Sequence, residues 1–173
     1  DERYPLLEDR TVTDYVNRIG LAIVFSSDAV RQTYSGYRFA VLDSPELNAF
    51  SAPGGFVFIT TGMLLETASE DELAGILAHE IAHVNARHIS QKIERSKKIG
   101  WATLAGMAAG ILIGAAGGAE AGQALTTGSQ AAGAAAELSY SRDNEIQADQ
   151  LGLIYLTEAG YNAEGLLRIL KKM

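Results

Sequence analysis

Several residue types that carry recognisable chemistry are absent from this sequence or scarce in it. There is no cysteine, which excludes disulfides, thiolate catalysis and cysteine-ligated zinc, and leaves the redox compartment open. Basic residues are outnumbered, with 14 Lys and Arg against 21 Asp and Glu and a net charge of −7. Because a nucleic-acid-binding protein normally carries a basic patch, and none stands out, we expect no nucleic-acid partner.

The length and the apolar content favour one domain. The chain has 173 residues, 47% of them hydrophobic, which is enough for a packed core without crosslinks. We therefore expect a single domain over residues 1–173. Its start lacks a charged stretch followed by an apolar run, so we expect that any signal peptide has been removed or was never there. An amphipathic pattern after Gly160 stops at Met173 without a cap, which predicts that further C-terminal sequence belongs to the domain.

The order of hydrophobic patterns favours an α+β fold that is mostly helical. Helical spacing over residues 9–30 predicts a first helix, and alternation over 37–42 predicts a strand. Residues 47–51 and 56–60 flank Pro53-Gly54-Gly55, a turn signal, so we expect a hairpin. The small sheet near residues 37–60 is then followed by helices.

A Gly- and Ala-rich insert is predicted over residues 99–136. Residues 99–119 carry no charge and are long enough to span a bilayer, but their hydrophobicity is weak. A membrane-associated helix and a tightly packed or flexible insert therefore both remain open, and we favour the insert. Residues 121–136 have the low-complexity composition of a mobile segment.

A helix with a clear start carries the central motif. Ser69 can cap its first N–H groups while Glu72 reaches back, as in a capping box. One face is apolar, through Leu73, Leu77, Ile81 and Val84. We expect this helix to run past His88 toward Lys98.

The pattern H-E-x-x-H occupies residues 79–83 of that helix. Residues four apart lie about 40° apart around a helix axis, so His79 and His83 can bind one ion at roughly 2.0–2.1 Å. Glu80 lies beside His79, where it can hold a water molecule without binding the metal. The motif predicts one zinc ion per chain, with His79 and His83 as ligands and Glu80 as the general base.

A catalytic zinc site needs a third protein ligand. His88 lies about 140° around a straight helix from His83, so we interpret it as a core or helix-end histidine. The metzincin pattern would require Gly and His where the chain has Ala86 and Ile89, which excludes that class. The remaining candidates are carboxylates.

Glu145 and Asp149 are the best-placed carboxylates, because they are four apart on a second predicted helix. One can bind zinc while the other accepts the outer N–H of a ligating histidine. Spacing alone does not separate this hypothesis from two solvated surface charges.

Three blocks of sequence carry a family resemblance. They are residues 47–62, with Leu47-Asn48-Ala49-Phe50 and Pro53-Gly54-Gly55; residues 72–88; and residues 145–149. The chain resembles the HtpX, CAAX prenyl protease and BepA group of gluzincin zinc metallopeptidases (peptidase family M48), and most of all the soluble BepA-like bacterial members.

This resemblance implies a zincin-like domain and a set of roles. His79, His83 and Glu145 would bind zinc, Glu80 would be the base, and Asp149 would orient His79. The region Phe56–Thr60 or its neighbour would offer an edge strand to extended or unfolded protein substrates. The substrate-binding residues would be Asn48, Ala49, Phe50, Gly54, Gly55 and Phe56.

The resemblance also implies an endopeptidase of envelope protein quality control in the bacterial periplasm or cell envelope. The alternatives are a latent zinc-bound module that acts like a chaperone on unfolded envelope proteins, and a membrane-anchored HtpX-like protease. Family members usually carry a further His and Arg that stabilise the oxyanion. The chain offers no candidate for them, so that role stays unassigned, as do the substrate and the oligomeric state.

Overall fold

The computed structural model describes residues 5–27, 36–52, 54–88 and 140–172, together with Gln91 and Glu94. The helices and strands named below belong to one compact unit formed by residues 1–89 and 142–173. The predicted insert over residues 99–136, with its membrane-associated alternative over 99–119, lies outside the described residues. Within the ranges just given, no helix is both long and apolar enough to cross a membrane.

The described part of the chain forms five helices and three strands, and the prediction of a mostly helical α+β fold is confirmed. The elements are α1 (Arg10–Ser26), β1 (Arg38–Leu42), β2 (Ala49–Ala52), β3 (Phe56–Thr60), α2 (Thr61–Glu66), α3 (Glu70–Asn85), α4 (Arg142–Glu158) and α5 (Glu164–Leu170). Helix α2 had no counterpart in the sequence analysis. It begins directly at the end of β3, with Thr60 as its N-cap.

The three strands form one sheet in the order β1-β3-β2. Strands β2 and β3 are the predicted antiparallel hairpin, and Gly54 and Gly55 make its turn with φ angles of 94° and 88°. Only glycine adopts such angles without strain. Because β1 pairs in parallel with β3, Phe56–Thr60 is the central strand. The edge strands of the described sheet are therefore its two neighbours, β1 and β2.

Helix α3 lies at the centre of the fold. It packs against α1, α4, α5 and the sheet, so that nearly every residue from Glu72 to Val84 is buried, and His79 is the exception. Its contact with α5 is close enough that a Cβ at Gly75 would lie 2.7 Å from the Cα atom of Leu166. Packing on all sides fixes the position of the H-E-x-x-H segment.

The start of α3 is stabilised by its predicted N-cap and by a contact with Lys172, near the C-terminus. The Ser69 hydroxyl accepts a hydrogen bond from the Glu72 N–H at 3.2 Å. The buried Glu72 carboxylate accepts from the Ala68 N–H at 3.0 Å and from Lys172 Nζ at 2.9 Å. These hydrogen bonds lower the pKa of Glu72. The reciprocal bond goes to Ala68 rather than to Ser69, one residue earlier than in a standard capping box.

The end of α3 differs from the prediction. The expectation that this helix continues past His88 is wrong, because α3 ends at Asn85. The N–H groups of Ala86 and Arg87 bond back to Ala82 and Val84, and Arg87 then adopts a left-handed φ of 57°. The chain therefore leaves the line of the helix just before His88.

Candidate metal centre

His79 and His83 project from one side of α3, one helical turn apart. Their Nε2 atoms lie 3.0 Å from each other, and their rings meet edge to face with centroids 4.7 Å apart. Because both Nε2 atoms are directed to the same point, two imidazole ligands are available to a single ion.

Helix α4 brings a carboxylate to the same point. Glu145 Oε2 lies 3.4 Å from His79 Nε2, and Glu145 Oε1 lies 3.8 Å from His83 Nε2. Within the residues that the structure describes, these three side chains form the group of His and acidic residues able to hold a metal. The hydrogen bond to His79 lowers the pKa of Glu145, against the effect of its partial burial.

The donor set fits a zinc ion. Bonds of about 2.0–2.1 Å in tetrahedral geometry place neighbouring donor atoms about 3.3–3.4 Å apart. The three separations of 3.0, 3.4 and 3.8 Å lie on either side of that value. Two neutral imidazoles and one carboxylate are also a ligand set used by catalytic zinc sites, in which the fourth position stays open.

Asp149 lies behind His79. Its Oδ1 is 3.0 Å from His79 Nδ1, although the ring N–H does not point at that oxygen. Burial lowers the pKa of His79, but the hydrogen bond with Glu145 and the charges of Glu80, Glu145 and Asp149 outweigh it, so the net shift is upward. The structure thus brings Asp149 to the imidazole that the resemblance assigned to it.

Glu80 is buried beside the cluster, with 8% of its surface exposed. Burial raises the pKa of this carboxyl, and the charge of His79 and the Ser51 hydroxyl oppose the shift. A raised pKa makes a carboxylate a better proton acceptor near neutral pH. Glu80 is therefore a buried carboxyl with a raised pKa, next to the candidate metal ligands.

The structure gives His88 a different place from the one expected. Its Nδ1 lies 3.1 Å from His83 Nδ1, and its Nε2 lies 2.9 Å from Gln147 Oε1. On a straight helix His88 would lie away from His83, but the left-handed Arg87 interrupts the helix. His88 is buried, as predicted, and its ring also contacts His83, a candidate metal ligand. Two residues of this site, His88 and Gln147, were therefore missed, and no spacing rule would have identified them.

A small pocket of about 90 Å³ adjoins the cluster. Its polar wall consists of His79, Glu80 and Glu145, and its apolar wall consists of Ala49, Ile76, Leu166, Ile169 and Leu170. Ala49 belongs to strand β2, and three of the apolar residues belong to α5. Helix α5 thus supplies an aliphatic surface next to the candidate metal site.

The predicted substrate-binding residues are distributed over four places. Ala49 lines the pocket, whereas Phe50 and Phe56 each stack on Phe58 at the outer face of the sheet. Gly54 and Gly55 form the hairpin turn, and the Asn48 N–H donates to the Thr60 hydroxyl. Of these six residues, the structure brings only Ala49 to the pocket beside the cluster.

Comparisons with known proteins indicate a peptidase family. The model of "Peptidase family M48" matches residues 11–173. A putative beta-barrel assembly-enhancing protease of Vibrio cholerae is 33% identical over 162 residues, which cover 94% of this chain and 33% of that protein. The beta-barrel assembly-enhancing protease of Yersinia pestis is 31% identical over 169 residues, covering 98% of this chain and 34% of that protein.

A more distant similarity extends to mitochondria. Mitochondrial metalloendopeptidase OMA1 of Schizosaccharomyces pombe is 31% identical over 133 residues, covering 77% of this chain and 36% of that protein. The chain spans about a third of the length of the curated relatives it matches.

Proposed function

Because the chain belongs to peptidase family M48, we propose that it is a zinc-dependent endopeptidase that hydrolyses peptide bonds in extended or unfolded protein substrates. The observation that carries this proposal is the convergence of His79, His83 and Glu145 on one point, with the buried Glu80 beside them.

His79 and His83 would hold the ion through Nε2, and Glu145 would hold it through a carboxylate oxygen. The bound ion supplies a Lewis acid that acidifies a water molecule and polarises the scissile carbonyl. Asp149 keeps the His79 ring oriented by facing its outer nitrogen at 3.0 Å.

Glu80 moves the proton. One carboxylate oxygen accepts a proton from the attacking water, and the carboxyl group then gives that proton to the nitrogen of the departing amine. Burial supports both steps, because it raises the pKa and so brings the carboxyl closer to the pH at which it can accept and release a proton. Removal of a general base of this kind typically slows a reaction by about 10²–10⁴-fold.

Substrate would bind along strand β2. Among the strands that the structure describes, β2 pairs only with β3, at one edge of the sheet, and its first residue, Ala49, lines the pocket beside the cluster. An extended peptide added to such an edge is held by main-chain hydrogen bonds, which tolerate many sequences. The aliphatic wall formed by α5 would then accept one apolar side chain of the substrate.

The names of the relatives indicate a cellular process in which the protein would act. Two bacterial relatives are described as beta-barrel assembly-enhancing proteases. We extend this description to this chain as envelope protein quality control in the periplasm or cell envelope.

The test is zinc content and casein cleavage measured on the same preparations of wild type, Glu145→Ala and Glu80→Gln. We expect Glu145→Ala to lose zinc, and Glu80→Gln to keep zinc and lose cleavage. Glu158→Ala is the matched control, because Glu158 is an exposed acidic residue near the end of the same helix. Zinc at one ion per chain without any cleavage would favour the latent, chaperone-like alternative, and no zinc would refute the proposal.

A further inference from the structure

A chain of three side chains leads from helix α4 to one of the candidate ligands. Gln147 Oε1 lies 2.9 Å from His88 Nε2, and His88 Nδ1 lies 3.1 Å from His83 Nδ1. His83 and His88 are each 1% exposed, so these ring nitrogens face each other rather than water. We propose that His88, held by Gln147, is a positioning residue that fixes the tautomer and orientation of His83; this inference rests on the proposed function.

The hydrogen-bonding capacities of the three groups determine the direction of the chain. An amide oxygen can only accept, so His88 must carry its hydrogen on Nε2. In a neutral imidazole the other nitrogen is then bare, and His88 Nδ1 accepts the hydrogen that His83 carries on Nδ1. His83 Nε2 is therefore left with its lone pair, directed at His79 Nε2 and Glu145.

This tautomer is the one that metal binding requires. An imidazole binds an ion through an unprotonated nitrogen, and the hydrogen bond at its other nitrogen decides which nitrogen that is. The two candidate histidine ligands are supported differently. His79 faces the half-exposed carboxylate of Asp149, whereas His83 faces the buried imidazole of His88, which can hold the ring in its uncharged form. The support of His83 thus requires no additional buried charge.

The backbone at the end of α3 brings His88 next to His83. Five residues along a straight helix correspond to a rotation of about 140°, which would carry His88 away from His83. Helix α3 ends at Asn85 instead, and Arg87 takes a φ of 57°, a conformation that costs energy for any residue other than glycine or asparagine. A strained residue next to a site is expected where the resulting geometry has a use.

Gln147 offers a sharp test because it is exposed, so its replacement need not disturb the core. Gln147→Met keeps the length and removes the acceptor, whereas Gln147→Glu keeps an acceptor. With zinc alone as the probe, in competition with a chelator, we expect Gln147→Met to weaken binding about 10-fold and Gln147→Glu to stay close to wild type. Gln150→Met, an exposed position on the same helix, is the control and should not change affinity.

The second readout is the tautomer itself, measured by ¹⁵N NMR on the intact chain labelled at its three histidines. We expect His83 to be protonated at Nδ1 and His88 at Nε2, with both signals shifted in Gln147→Met and retained in Gln147→Glu. A His88 protonated at Nδ1, or equal losses of zinc affinity in the two Gln147 variants, would overturn the inference. If zinc does not bind but these tautomers are found, the proposed function fails and the inference about His83 stands.

Discussion

Gly152 of α4 packs directly on the backbone of His79. A Cβ atom at Gly152 would lie 3.3 Å from the His79 nitrogen and 3.4 Å from its Cα, so the two helices meet there without an intervening side chain. Glu145 and Asp149 precede Gly152 on the same helix, and both reach the His79 ring. The close approach of the two backbones is thus what brings the carboxylates to the candidate metal site.

Gly152→Leu should separate α4 from α3. We expect overpacking to destabilise the fold by about 1–3 kcal/mol and zinc affinity to fall at least about 10-fold, because Glu145 moves away from the histidines. Urea unfolding and chelator competition measure the two effects. Gln150→Leu, which adds the same side chain on an exposed surface of α4, should change neither quantity. Unchanged zinc affinity in Gly152→Leu would show that the helix contact does not position Glu145.

Glu80→Gln should stabilise the zinc-free protein at pH 8. Burial raises the pKa of Glu80 above its ordinary value of 4.5, so the folded protein retains this proton at a pH where the unfolded chain has lost it. Stability is therefore lost as pH rises from that ordinary value through the raised one, by about 1.4 kcal/mol for each unit of the shift. The glutamine variant avoids this loss.

Unfolding free energies of wild type and Glu80→Gln, measured from pH 4 to pH 8 in the presence of a chelator, test this expectation. The advantage of the variant should be greatest at pH 8 and should disappear near the ordinary pKa of a glutamate. An advantage that does not change with pH would mean that the Glu80 carboxylate is not desolvated in the folded protein.

Arg87→Gly should stabilise the protein and preserve the metal site. Glycine adopts the positive φ of this position freely, so we expect a gain of about 1 kcal/mol with no change in zinc affinity. Ala86→Gly is the matched control: Ala86 has a φ of −74°, and glycine there should cost about 0.5–1 kcal/mol. A loss of stability in Arg87→Gly would contradict the assignment of strain to Arg87.

Leu170→Phe should change the substrate preference. Leu170 is partly buried in the aliphatic wall of the pocket beside the cluster, and a larger side chain there leaves less space. We expect peptides with a large aliphatic residue at the cleavage site to lose about 10–200-fold in kcat/KM relative to peptides with alanine. Leu167→Phe, on the exposed side of α5, should leave the preference unchanged. Equal effects on both peptide classes would exclude this pocket as a specificity site.

The rules for helix caps, turns and helical spacing predicted those features of the fold that depend on residues close together in the sequence. The N-cap at Ser69, the hairpin turn at Gly54 and Gly55 and the helical spacing of His79 and His83 all depend on neighbouring residues, and each appears in the structure. Glu145 needed the family resemblance, because the spacing of two carboxylates on a helix says nothing about what that helix packs against.

The parts that were missed depend on contacts between distant segments or on a single backbone angle. Strands β1 and β3 pair in parallel but are not consecutive in the chain, so no turn motif in the sequence predicts their pairing. The approach of His88 to His83 follows from the φ of Arg87, and arginine gives no indication of a left-handed conformation. On a straight helix these two side chains would lie about 140° apart, so the sequence did not predict their contact.

The most direct test of the central claim is anomalous scattering at the zinc edge from crystals of the zinc-loaded protein. The account predicts one peak per chain, within about 2.0–2.2 Å of His79 Nε2, His83 Nε2 and a carboxylate oxygen of Glu145. A peak bound by other residues, or no peak at this cluster when zinc is present at one ion per chain, would contradict it.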